Sequence, residues 1–172
     1  MRRGLMLFLL VWAMFGVTML TLGYTDTIYK LELSSGYLSR AQAAGFAEEV
    51  SLYLSLARPL IPDHGNPVWI LPTSRTDFSL ITSDLERVSR RVDILKGVTR
   101  DSSAYAQGMS DVRGRLSVII GQIGEAMPYT LFTPVNIGLA LLWLSAPYIV
   151  HRISDRKHHR RLEERRPVPA SA

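Results

Sequence analysis

The chain contains no cysteine. That excludes disulfides, thiolate catalysis and cysteine-ligated metal centres. A domain exported from the cytoplasm must then be held by packing or by a partner. No glycosylation sequon is present, because Asn66 precedes Pro67 and Asn136 is followed by Ile137-Gly138. A phosphate-binding glycine loop, a dinucleotide fingerprint, a His-Glu-x-x-His pair, a nucleophile elbow and an EF-hand loop are all missing. Ser39, Ser51 and Ser55 have no histidine nearby in sequence to serve as a base. The expectation is a non-enzymatic protein with no cofactor and no metal.

Charge is missing in two places. Between Thr130 and Val150 there is no Asp, Glu, Lys or Arg, and Asn136 is the one strongly polar side chain. Leu5 to Gly23 is equally free of charge. Twenty-one helical residues, 130–150, rise roughly 31 Å, close to the thickness of a bilayer's hydrocarbon core. With no Asp, Glu, Lys or Arg inside either run, ion or proton transport is not indicated. The sequence predicts an all-α membrane protein with two transmembrane helices. Its expected parts are a cytoplasmic N-terminus (1–4), a first span (5–23), an extracytoplasmic helical domain (24–128), a second span (129–150) and a basic cytoplasmic tail (151–172).

The charges that are present are placed unevenly. The net charge is +5 and the isoelectric point about 9.8. Arg2 and Arg3 precede the first run, and seven basic residues follow the second against Asp155, Glu163 and Glu164. The stretch from Tyr24 to Tyr129 is nearly neutral, with eleven basic and twelve acidic residues. Basic ends around a neutral middle are what the positive-inside rule expects of a two-pass cell-membrane protein with both termini in the cytoplasm. Topology thus accounts for the high isoelectric point, and no nucleic-acid partner is expected. Arg2, Arg3, Arg152, Arg156, Lys157, Arg160 and Arg161 are the expected contacts to lipid head groups. His158-His159 is a poor metal site, because the neighbouring cations repel a metal ion.

The first run has an apolar core of about eighteen residues, longer than the roughly 7–15 of a cleavable signal, so an uncleaved anchor is expected. Ala13 and Gly16 give it a small-residue strip that another helix can approach, although such residues are also common in membrane helices.

In the middle segment, Ser34-Ser35-Gly36 is a plausible break and cap. The next helix is expected from Ser35 to Arg58, with Leu38, Ala41, Gly45, Phe46, Val50, Tyr53, Leu54 and Ala57 as its apolar stripe and Pro59 as its end. Leu60 to Arg75 is irregular, with three prolines and a Pro62-Asp63-His64-Gly65 turn. A His-Asp pair there reads as a turn before it reads as a site. Within it stands Val68-Trp69-Ile70-Leu71. That run is either a plug lying across the helices or an exposed patch that meets a membrane or a partner. Thr76 is expected to cap a helix whose seam is Phe78, Ile81, Leu85, Val88, Val92 and Leu95, a near-heptad. Arg90 and Arg91 are the candidate anion contact, set against a solvated helix face. Asp101-Ser102 opens a further helix along Tyr105, Met109, Val112, Leu116, Ile119, Ile123 and Met127, as a hairpin with its predecessor rather than one interrupted rod. Gly108, Gly114, Gly121 and Gly124 weaken that helix unless close packing or a flexible link to the membrane offsets them.

The expected domain is a three-helix bundle or long hairpin. The layout is similar to that of the sensing half of bacterial chemoreceptors, although the output half is missing and three exported helices read more naturally than four. The expected function is an accessory or structural subunit that docks on a larger membrane complex, with a membrane-protein partner or a second copy besides the lipid bilayer. The alternative is an extracytoplasmic sensor that signals through a separate partner. A third class, membrane remodelling, would use Trp69 as an interfacial wedge.

Overall fold

The computed structural model describes residues 2–164, with side chains described for Gly4 and for 6–153. Among the described residues every regular element is helical. Helix α1 (Arg2–Gly23) runs through a π-helical turn (Tyr24–Ile28) into α2 (Tyr29–Ala43). Then follow α3 (Ala47–Ala57), α4 (Phe78–Lys96), α5 (Ser103–Ala126) and α6 (Pro134–Glu164). Short 3-10 turns occupy Arg58–Leu60, Ser74–Thr76 and Met127–Thr130. The chain divides into two compact units: residues 19–133, and residues 1–18 together with 134–172.

The 19–133 unit has one apolar core, to which α2, α3, α4 and α5 all contribute. Helix α2 packs on α3 and α5, and α4 packs on the same two. Every residue of the α4 seam is buried, from Phe78 through Leu95. Steps of three and four keep these six side chains on one stripe. Burying each contributes about 1.5–3 kcal/mol. The α5 seam is buried from Tyr105 to Ile123 and ends on Ala126 rather than Met127. Leu95 lies against Gly108 at one end of the α4–α5 pair, and Arg75 bridges to Glu125 at the other. The pair is therefore an antiparallel hairpin.

The expected break at Ser34-Gly36 does not occur. Helix α2 passes through it, and the chain turns instead at 44–46, so four helices enclose the core where three were expected. Ser34 is fully buried, and its hydroxyl donates to the Ala57 carbonyl at 3.2 Å. That carbonyl is one of the last of α3 and has lost its helical donor, so the serine closes a neighbouring helix rather than opening its own. The turn at 44–46 is fixed from outside. Arg113 donates to the Ala44 carbonyl at 3.0 Å, and the Ala47 amide donates to the Tyr105 hydroxyl at 2.9 Å. Gly45 and Phe46 consequently leave the core and stand exposed. The cap of α4 also shifts by one residue. Asp77 accepts from the Ser79 amide, while Thr76 is buried and bonded to Asn66. Ser102 caps α5 by accepting from the Tyr105 amide.

The π-helical turn has a local cause. The Thr25 hydroxyl donates to the Thr21 and Leu22 carbonyls, and the Thr27 hydroxyl to that of Gly23. Side-chain hydroxyls inserted into the carbonyl ladder loosen a helix.

In the other unit, α1 and α6 each belong to a helical stretch long and apolar enough to cross a membrane. Their large side chains, among them Leu7, Leu10, Val17, Leu139, Leu141 and Leu142, are uncovered in this chain. The apolar run expected to span from Tyr129 becomes α-helical only at Pro134, where a proline without an amide fits the first turn.

Candidate functional site

Helix α5 buries one face and leaves the opposite face almost bare. Gly114, Ser117, Val118, Gly121 and Gly124 recur at steps of three and four, so they share that outer face. A Cβ added at Gly114, Gly121 or Gly124 would meet nothing within 4 Å. At Gly108 it would meet Leu95 at 2.5 Å. One of the four glycines therefore serves this chain's own packing, and three do not. Val118 stands 59% exposed at the centre of the bare face. A shallow groove of about 360 Å³ runs beside it, lined by Arg75, Ser117, Val118, Gly121 and Gln122. The side-chain oxygen of Gln122 is buried there without a hydrogen-bond donor.

The loop between α3 and α4 does not plug the core. Val68 is half-buried, but Trp69, Ile70 and Leu71 are 48%, 71% and 77% exposed. The loop is nonetheless well held. Asn66 donates to the Thr73 carbonyl at 2.8 Å and accepts from the Val68 amide and the Thr76 hydroxyl. The Phe78 amide donates to the Gly65 carbonyl at 2.9 Å, and Gly65 has φ +104°, a backbone that favours glycine. The Trp69 indole donates to the Phe132 carbonyl at 2.6 Å.

Arg90 and Arg91 are exposed on α4 and make no ion pair among the described residues. They line neither the groove beside Val118 nor the cleft around Asp63 and His64. Asp63 is paired with Arg58 at 2.6 Å, and His64 stands beside it in the turn. No group of three or more metal-ligating side chains exists among the described residues. Arg152 stacks over the Tyr148 ring and donates to its hydroxyl at 2.6 Å. The side chains of Arg2, Arg3, Arg156, Lys157, Arg160 and Arg161 lie outside the described residues, as do those of His158 and His159.

The α1–α6 unit holds a contact that the pattern of apolar residues does not suggest. Trp12 and Trp143 stack with ring centroids 4.2 Å apart and planes 6° from parallel. Each indole N–H donates to the other residue's main-chain carbonyl, at 2.9 and 3.1 Å. Gly16 is buried against the Trp143 ring, where a Cβ would fall 2.3 Å from the indole. The small-residue strip is thus half used: Gly16 admits the partner helix, and Ala13 is exposed. Pro147 lies inside α6, four residues after Trp143. It supplies no amide to the Trp143 carbonyl, and Trp12 fills that vacancy. The sequence shows only part of this: Pro147 leaves the carbonyl four residues before it without a helical amide, whatever residue stands there.

Two carboxylates of the 19–133 unit are held below their usual range. Asp77 is lowered by the Ser79 hydroxyl and then by the Ser79 amide. Glu48 is lowered by its own backbone amide and then by Arg100, whose guanidinium sits 3.0 Å away and also covers the Phe46 ring. The Tyr24 hydroxyl is raised, because it donates to the Glu32 carboxylate at 2.8 Å.

A comparison with known proteins finds no matching family model, no similar curated protein and no similar solved structure.

Proposed function

We propose that this chain is a non-enzymatic two-pass membrane protein. In this reading residues 24–128 form an extracytoplasmic helical bundle, both termini lie in the cytoplasm, and the bundle docks as an accessory or structural subunit on a larger membrane complex. The observation that carries it is the bare face of α5. Each glycine inside a helix costs about 1 kcal/mol relative to alanine. Gly108 recovers that loss against Leu95, but Gly114, Gly121 and Gly124 recover nothing within the chain. A face of small residues with Val118 at its centre accepts another helix at short distance. The uncovered apolar side chains of α1 and α6 support the membrane placement, and the basic residues at both ends support the orientation.

The test is purification of the full-length protein in mild detergent, with identification of what co-purifies, for the natural chain and for Gly121→Leu. The expected result is a stoichiometric membrane partner that Gly121→Leu releases while the helical content is retained. A homodimer with no other partner, unchanged by Gly121→Leu, would overturn the accessory reading.

A second reading, ligand sensing, draws on a cleft of about 550 Å³ lined in part by Asp26, Lys30, Asp63, His64 and Thr130. It stands second because its charges already satisfy one another: Asp26 pairs with Lys30, and Asp63 with Arg58.

A further inference from the structure

We infer that the Trp69-Ile70-Leu71 tip is a lipid-binding element, seated in the interfacial layer of the bilayer that the two apolar helices cross. The inference rests on the two-pass reading above and on a different surface from the α5 face. Three observations lead to it.

The first is position. The Trp69 indole is bonded to the carbonyl of Phe132, only two residues before Pro134 opens α6. Two residues span at most about 7 Å. The tip is thus tied to the start of the apolar span by chain connectivity alone. From Ala126 to Val150 the chain has no Asp, Glu, Lys or Arg, and the apolar helix opens within that run at Pro134, so Phe132 stands at its entry.

The second is chemistry. Asn66 to Thr73 contains no charged residue, so no ion has to be desolvated on entering the interface. Tyr129 and Phe132 are exposed on the segment whose Phe132 carbonyl the Trp69 indole meets. A tryptophan with its N–H satisfied, and an exposed tyrosine on the segment it is bonded to, match the aromatic belt found at membrane–water boundaries.

The third is rigidity. Pro67 and Pro72 bracket the tip, and Asn66 ties its two sides together. Exposed isoleucine and leucine on a loop held this firmly do not fold back onto the core. An apolar wedge of this kind is stabilised by burial a few ångströms into the head-group and acyl boundary. A protein occupant is the competing possibility, and the test below separates the two.

The experiment uses the full-length chain in vesicles of phosphatidylcholine and phosphatidylglycerol, with no other protein present. There are three tryptophans. Trp12→Phe/Trp143→Phe leaves Trp69 alone, and Trp69→Phe leaves the stacked pair. The expected result is that Trp69 is quenched roughly twofold more by lipids brominated near the top of the acyl chain than by lipids brominated near its methyl end, as interfacial depth requires. Trp69 open to aqueous iodide and untouched by either lipid, while the Trp12–Trp143 pair is quenched, would overturn the inference and leave the two-pass reading intact. No quenching of any tryptophan would overturn both. Because the double variant removes the stacked pair and could unfold the chain, a second measurement stands beside it. Ile70→Cys gives a single thiol on a naturally cysteine-free chain. A spin label there should be reached by oxygen more readily than by a water-soluble nickel chelate. The reverse order would again reject the lipid contact.

Discussion

The indole N–H of Trp12 donates to the main-chain carbonyl of Trp143, and Pro147 is the reason that this carbonyl needs a donor. An α-helix satisfies each carbonyl with the amide four residues on, and a proline at that place leaves it empty. In a hydrocarbon environment an unmade backbone hydrogen bond is expensive. A side chain from another helix makes up the deficit here.

This relationship predicts a coupling. Trp12→Phe should destabilise the helix pair by about 0.5–1.5 kcal/mol. In a Pro147→Ala background the amide returns to α6, and the same substitution should cost clearly less. Reversible unfolding in detergent across the four-variant cycle measures the difference. Equal costs in both backgrounds would show that the bond does not compensate for the proline.

Two glycine-to-alanine substitutions in one helix should have opposite signs. Gly114→Ala adds a methyl group to open space and should stabilise by up to about 1 kcal/mol. Gly108→Ala drives a methyl group into Leu95, which is itself buried, and should destabilise by about 1–3 kcal/mol. Thermal melts of the two variants decide the matter, and the same sign for both would contradict the packing described.

Tyr105→Phe should cost about 1–3 kcal/mol, because the buried Ala47 amide loses its acceptor. Tyr53 makes no hydrogen bond among the described residues, so Tyr53→Phe is the control, expected within about 0.5 kcal/mol of the natural chain. Chemical denaturation separates them. Equal costs would mean that the Tyr105 ring, not its hydroxyl, fixes the turn.

The acid limb of stability should show Asp77 and Glu48. Both have folded pKa values lowered from their ordinary 3.8 and 4.5. A lowered carboxylate contributes stability that is fully present above its unfolded pKa and disappears as pH falls through the folded one. The Asp77→Asn/Glu48→Gln variant should therefore be less stable than the natural chain at neutral pH, and the gap should close below about pH 4. Melts from pH 7 to pH 3 follow it. A gap that stays constant across this range would rule out the carboxylates as its source.

Much of the helical framework was readable because it depends on spacing. The α4 seam from Phe78 to Leu95 and the α5 seam from Tyr105 to Ile123 are both buried as their periods require. The turn at 44–46 was not readable, because its caps come from Arg113 and Tyr105, which are 69 and 58 residues from their partners. Ser34 misled for the same reason: a serine before Ser-Gly resembles a cap until its hydroxyl is seen to serve Ala57. Whether Trp69 to Leu71 plugs the core or stands out from it depended on how Asn66 and the two prolines hold the loop. The four α5 glycines were visible in the sequence. Separating the packed one from the three open ones needed the phase of the helix against its core.

The Trp12–Trp143 contact joins residues 131 positions apart. During synthesis the first partner leaves the ribosome 131 residues ahead of the second. All of the 19–133 unit emerges between them. That unit can therefore reach its fold while α1 still lacks its mate. The tryptophan clasp cannot close before residue 143 has emerged, and until then the Gly16 face of α1 lacks the indole that covers it.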